Sequence, residues 1–202
     1  EDAVVSTITG SLIGSDPEDN SLTYSIADVT ASSGSYSLAG TYGTLVLNAT
    51  TGAYTYTLDN SATATNALAA GGSETETFSV KVSDGTNITA AQNLSFTING
   101  ANDAPSSISL DSTSVVENSA GAIVGALSGS DPEGTSISYS VAASDDGASF
   151  EIDSSNNLKL ISASADYETK STYSVTVNAS DSDLQTPTEF SISVTDINEA
   201  PT

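Results

Sequence analysis

Carboxylates are the groups in this 202-residue chain that could do chemistry in number. Asp and Glu total 26 against three cations (Lys81, Lys159 and Lys170), there is no His or Cys, and the formal net charge is −23. Without imidazole or thiolate there is no Ser-His-Asp or Cys-His pair and no imidazole base. A carboxylate pair could hydrolyse a glycoside in principle, but nothing else points to a substrate cleft, so no enzyme is expected. The charge argues against nucleic acid or an anionic membrane as partner, since both need cationic surface. What clustered carboxylates do well is hold a hard cation. Calcium takes six to eight oxygen ligands at roughly 2.3–2.6 Å, and softer metals find no suitable donor here. A merely solvated acidic surface, as in salt-adapted proteins, explains the composition equally well, so position must decide.

The acids of the second half fall in few places: Glu117, Asp131 with Glu133, Asp166 with Glu168, Asp181 with Asp183, and Asp196 with Glu199 in the tail. In a sandwich of seven strands successive turns lie at alternate ends. Asp131, Glu133, Asp181 and Asp183 are then expected at the end where the half begins. Glu117, Asp166, Glu168 and the tail are expected at the other. Two such ends would repel strongly if empty.

The elements that must position these acids repeat. Gly14-Ser15-Asp16-Pro17-Glu18 and Gly129-Ser130-Asp131-Pro132-Glu133 are identical and 115 residues apart (129 − 14). Tyr24-Ser25-Ile26 matches Tyr139-Ser140-Val141, and Asp2 falls on Glu117. Asn102-Asp103-Ala104-Pro105 recurs as Asn198-Glu199-Ala200-Pro201, each after an alternating run and each stopped by a proline. This spacing predicts two tandem domains, 1–105 and 106–202. Each ends in a metal-binding linker, 99–105 and 196–202, the second cut short. The chain begins at Glu1 rather than Met, which is the expectation for a piece of something longer.

Period-two alternation predicts strands near 6–14, 22–29, 43–48, 53–58, 76–82 and 91–99 in the first copy. In the second it predicts them near 107–111, 123–128, 136–142, 150–153, 158–161, 173–178 and 188–196. Thr51-Gly52 and Asn156-Asn157 read as hairpin turns. The fold class is all-β: two Greek-key sandwiches joined end to end, with one short helix at 61–70 closed by Gly71-Gly72. Tyr54 and Tyr56 share a strand face and read as core, with a sugar-stacking platform as the alternative. Asn48, Asn87, Asn93 and Asn178 open glycosylation sequons of the kind that arise by chance in so Ser/Thr/Asn-rich a chain. The absence of Cys excludes disulfides, leaving calcium as the usual substitute cross-link in a secreted domain. No apolar run approaches the ~20 residues of a membrane span.

Residues 106–202 resemble a cadherin repeat. The residues that carry this are Val116-Glu117-Asn118, Asp131-Pro132-Glu133, Phe150-Glu151-Ile152-Asp153, Ala165-Asp166-Tyr167-Glu168, Asp181 and Asp196-Ile197-Asn198-Glu199-Ala200-Pro201. Residues 1–105 resemble a VCBS repeat of bacterial surface proteins through Gly40-Thr41-Tyr42-Gly43-Thr44-Leu45, the run Gly52-Ala53-Tyr54-Thr55-Tyr56-Thr57-Leu58-Asp59-Asn60, Ala67-Leu68-Ala69-Ala70-Gly71 with Glu74, and the closing Ile98 to Pro105. The resemblance implies Ca2+ ligands in three sets. A central junction would take Asp2 and Glu74, with Glu1 and Glu76 as further candidates, then Asp103 and the carbonyls of Ala101 and Asn102, and Asp131, Glu133 and Asp181. Asp16, Glu18 and Asp84 would serve a junction before residue 1, and Glu117, Asp166, Glu168, Asp196 and Glu199 one after residue 202.

The same resemblance implies extender modules of a large bacterial adhesin of the RTX type. Such proteins leave the cell unfolded by type I secretion and fold outside it on calcium, serving cell adhesion and biofilm formation. Localisation is then extracellular, on the cell surface. The partners are neighbouring modules of the same chain, with neither nucleic acid nor membrane insertion, and the fragment is expected to be monomeric. The alternative is a calcium-dependent module that itself grips extracellular polysaccharide or another cell surface, or adheres homophilically. The chain lacks Trp, which closes the Trp-docking route of animal cadherins.

Overall fold

The alternating segments become strands in a computed structural model that describes residues 7–18, 20–161 and 165–200. The chain divides into two compact units between Asn102 and Asp103. In unit 1 the strands are β1 Thr7–Ser11, β2 Thr23–Ile26, β3 Ser35–Ala39, β4 Gly43–Asn48, β5 Ala53–Leu58, β6 Ser73–Ser83 and β7 Gln92–Asn99, with one helical turn, α1 Thr63–Asn66. In unit 2 they are β8 Ser106–Leu110, β9 Ser114–Val116, β10 Ile123–Ser130, β11 Ser138–Val141, β12 Phe150–Ile152, β13 Asn157–Leu160, β14 Thr172–Ser180 and β15 Gln185–Thr195.

Each unit is a two-sheet sandwich. Unit 1 faces the sheet β1-β5-β4-β3 with β2-β6-β7, and unit 2 faces β12-β13-β10-β8 with β11-β14-β15-β9. Alternate residues point inward, so one face of each strand supplies the core. In unit 1 Leu45, Leu47, Phe78, Val80 and Phe96 are buried around Tyr56, whose ring stacks on Phe96 with centroids 4.2 Å apart. Tyr54 packs edge-on against the same Phe96, so both tyrosines belong to the core. Unit 2 buries Val124, Leu158, Val175, Val177 and Ile192.

Most expected strands appear within a residue or two. β3 and β9 were not anticipated. β3 follows a Ser/Gly turn in which Ser33 and Gly34 both take positive φ, 51° and 79°, and its polar sequence hides the alternation. β9 has three residues and is held by parallel pairing to β15, a tertiary contact with no local signature. The helix is one turn, not ten residues. Thr and Asn are weak helix formers and the N-cap Ala62 offers no side-chain bond, so a short helix has little to sustain it. Gly71 does supply the expected left-handed turn, at φ 80°. At the second hairpin Asn156 takes the turn conformation (φ 62°) while Asn157 already belongs to β13. Gly52 makes the first (φ 69°), packed against the Leu12 carbonyl and the Tyr24 ring.

Candidate metal centre

The end of unit 2 that follows β15 gathers four carboxylates. β9 and β15 pair in parallel with Val116 opposite Thr195, so the next residues along, Glu117 and Asp196, leave the sheet side by side. The turn Asp166–Lys170, closed by the Lys170 N–H on the Asp166 carbonyl, brings Glu168 to them. The tail returns Glu199, whose Oε1 accepts a bond from Asn118 Nδ2 at 2.6 Å. One oxygen from each of Glu117, Glu168, Asp196 and Glu199 lies within 4.8 Å of all the others. Glu117 is the inner wall, 1% exposed. Its Oε2 accepts the Tyr167 N–H at 2.8 Å and its Oε1 the Ile197 N–H at 2.5 Å, so one side chain pins both the turn and the tail. Asp166 turns back on its own loop, taking the Thr169 N–H and hydroxyl, and stands outside the group of four.

The opposite end of unit 2 holds a second cluster. The Asp103 N–H donates to Glu133 Oε1 at 3.0 Å, Asp131 Oδ1 accepts the Thr135 N–H, and Thr186 Oγ1 donates to the Pro105 carbonyl at 2.5 Å. Asp131 Oδ2 and Glu133 Oε2 are buried without a hydrogen-bond partner. A buried carboxylate oxygen in that state is where an ion belongs. Asp181, 4% exposed, shares this end, because Ser180 pairs with Ser138 just after the Asp131 turn. Its Oδ1 accepts the N–H groups of Asp183 and Leu184. Ala101 and Asn102 precede Asp103 and are partly buried.

In unit 1, Asp16 and Asp84 are turn formers. Asp16 Oδ1 accepts from Glu18 N and Asn20 N, and Asp84 Oδ1 accepts from Thr86 N and Asn87 N. Those backbone bonds hold the Asp84 carboxyl below the ordinary Asp range. Glu18 is exposed, as is Glu74 on β6. Glu76 is 7% exposed inside unit 1. It accepts the Thr41 N–H, the Tyr42 N–H at 3.0 Å and the Tyr56 hydroxyl at 2.7 Å. That clasp over the β3–β4 turn was missed in the sequence; the tight Gly40-Thr41-Tyr42-Gly43 run, with Gly40 against the Glu76 carboxylate, is its only local signal. Glu1 and Asp2 lie outside the described residues.

The donors at both ends of unit 2 are oxygens alone, which fits a hard divalent cation. Electrostatics agrees. Burial pushes the Glu133 carboxyl above the ordinary glutamate range against the pull of the Asp103 and its own backbone N–H, and the Asp103 and Asp131 charges add to the rise. At Glu168 a backbone bond pulls the carboxyl down, but desolvation and the charges of Glu199, Glu117 and Asp196 carry it up. An acid with a raised folded pKa stabilises the fold fully below its unfolded value and loses that contribution as pH rises through the folded one. In chelator, these two groups therefore cost unit 2 stability as pH climbs just above 4.5. Calcium, which binds the ionised form, reverses the slope. Melting curves between pH 4.5 and about pH 7, with and without calcium, check this; identical pH slopes in the two series would refute it.

Residues 1–100 match the bacterial cadherin-like domain, and residues 111–195 match the cadherin domain. The sequence expectation for the first copy is a VCBS repeat; the family found there is the bacterial cadherin-like domain. No curated protein matches the chain. Among solved structures, EC1-2 of human protocadherin-24 is 20% identical, with a TM-score of 0.52 over 93% of this chain and 88% of that one. EC1-4 of Drosophila N-cadherin is 15% identical, with a TM-score of 0.51 over 92% of this chain and 44% of that one. At such identities the likeness is one of fold, and the fold is two cadherin-like β-sandwich domains. Among the described residues no helix is long and apolar enough to cross a membrane.

Proposed function

Starting from a chain of two tandem cadherin-like β-sandwich domains, we propose that these are calcium-rigidified extender modules of a large bacterial cell-surface adhesin, working in cell adhesion and biofilm formation outside the cell. The observation that carries this reading is the convergence of Glu117, Glu168, Asp196 and Glu199 within 4.8 Å. Three elements remote in sequence supply those acids, and without a cation they repel. Glu117, Glu168, Asp196 and Glu199 would hold one calcium set, and Asp131 and Glu133 with the Asp103 segment another. The ion supplies charge neutralisation and a cross-link. The protein's own part is to hold the acids in place: Glu117 anchors turn and tail, and Asp103 ties the 99–105 segment to Glu133.

Extracellular modules bind calcium with dissociation constants on the order of 0.1–1 mM. At 100 times that constant each site adds about 2.7 kcal/mol, comparable with a disulfide. In such a chain calcium makes flexible segments stiff, so an array of modules stands extended. Small-angle scattering of this chain in EDTA and in millimolar calcium, with melts of each, is the test. The expected result is a larger maximum dimension and a higher melting temperature with calcium. Unchanged shape and melting would leave the acids as solvated charge. Asp103→Ala should keep both domains folded while losing much of the calcium-dependent extension; scattering like that of the unmutated chain would count against the linker's role.

A further inference from the structure

Unit 1 is one strand short on the side where unit 2 has β8. At the offset of 115, residues 12–15 answer to residues 127–130. In unit 2 that stretch is the end of β10, and β8 pairs with it, Leu127 opposite Leu110, Ser128 opposite Ser109 and Ser130 opposite Ser106. In unit 1 the strand β1 stops at Ser11, and β5 is its ladder partner among the described residues. The other edge is the same in both units: Leu12 N donates to the Gly52 carbonyl, as Leu127 N does to that of Asn156. Only the β8 side differs.

The side chains show the same gap. Gly129 lies against Ile108 of β8, Ile137 and Tyr139. Its counterpart Gly14 lies against Leu22, Tyr24 and Val82. Leu22 and Tyr24 are the offset partners of Ile137 and Tyr139, so Ile108 is the neighbour with no equivalent. In its place is a groove of about 370 Å³ lined by Ile13, Gly14, Leu22, Val82 and Ile88 among others, with Asp16 and Asp84 also at its wall. Ile13, the counterpart of Ser128, is 95% exposed, and Ile88 is 62% exposed. An apolar groove beside an unpaired stretch of backbone is an acceptor for a β-strand.

We propose that this groove receives an extended segment running antiparallel to residues 12–15, with the chemistry of β8: Ser-rich, uncharged, and carrying a branched aliphatic side chain that seats against Gly14. The occupant is a strand of the same polypeptide entering from the N-terminal side of β1, as β8 enters from the N-terminal side of β10. Two acids and no cation at the groove favour an uncharged strand over an acidic one. This inference is independent of the calcium reading, since its test runs in chelator.

The probe is a synthetic peptide of residues 104–113 added to the isotope-labelled 202-residue chain in EDTA, followed by amide chemical shifts. Saturable shifts at Ile13, Gly14, Ser15, Leu22 and Val82 are expected. A peptide with Ile108→Asp should bind about tenfold or more weakly, the worth of one buried aliphatic side chain. Ile13→Ser in the chain, at a side chain so exposed that the fold does not depend on it, should weaken binding of the unaltered peptide. No saturable shift, or equal binding of the two peptides, would overturn the proposal. So would the same amides shifting with protein concentration alone as the chain dimerises, since the strand would then be lent by a second copy.

Discussion

Glu117→Ala lowers the unfolding free energy of the second domain by about 2–4 kcal/mol, in chelator as well as in calcium, because two backbone donors lose their acceptor inside the fold. The donors are Tyr167 N and Ile197 N, at 2.8 and 2.5 Å from a carboxylate that is 1% exposed. The same substitution removes the inner wall of the four-carboxylate site, so the second domain should also lose most of its calcium-dependent rise in melting temperature. Glu117→Gln keeps one oxygen acceptor and should fall between the two in chelator, while still impairing the calcium response. Urea titrations in EDTA and in calcium read both effects. A Glu117→Ala chain that melts like the unmutated one in EDTA would mean the two N–H groups reach water or another acceptor, and the anchoring role would fall.

Glu76→Ala should cost the first domain a similar amount, about 2–4 kcal/mol, with no dependence on calcium. Its carboxylate accepts from Thr41 N, Tyr42 N and Tyr56 Oη, and truncation strands all three beneath the β3–β4 turn. Tyr56→Phe removes one of those bonds and keeps the ring stacked on Phe96, so about 1 kcal/mol is expected. Burial, the bond to Glu76 and its charge push the Tyr56 hydroxyl well above the usual phenol range, so the hydroxyl remains a donor wherever the fold survives. Calorimetry that resolves the two domains separates this loss from the second-domain transition. If calcium rescued Glu76→Ala, or if its loss appeared only with calcium present, Glu76 would be a ligand and not a clasp.

The pair Glu76 and Glu117 shows where sequence reading stops. Both are glutamates beside strands, both are buried, and both accept two backbone N–H groups. The sequence placed Glu117 correctly in a motif that repeats with Asp2. It offered Glu76 as a junction candidate because nothing local distinguishes a carboxylate at a domain end from one folded under a turn. What separates them is the partner set: Glu117 meets three other acids, whereas Glu76 meets a tyrosine and two amides. Asp166 and Glu168, two residues apart in one motif, are divided in the same way. Asp166 bonds Thr169 of its own turn, and Glu168 faces the tail.

Composition and period by themselves determined the class of the molecule. Alternation every two residues, glycine and asparagine at the turns, and an offset of 115 between identical motifs require two all-β domains, since side chains on a strand alternate faces whatever lies around them. The donor chemistry was equally local, because a chain without His or Cys offers a cation only oxygen. Tertiary structure decided which oxygens meet. The parallel register of β9 and β15 sets Glu117 beside Asp196, and the packing of residues 103–105 on unit 2 buries Asp131 and Glu133. The open edge at residues 12–15 was likewise invisible in the sequence, where those residues read the same in both copies. A strand ends where its partner does, and the partner is a long-range contact.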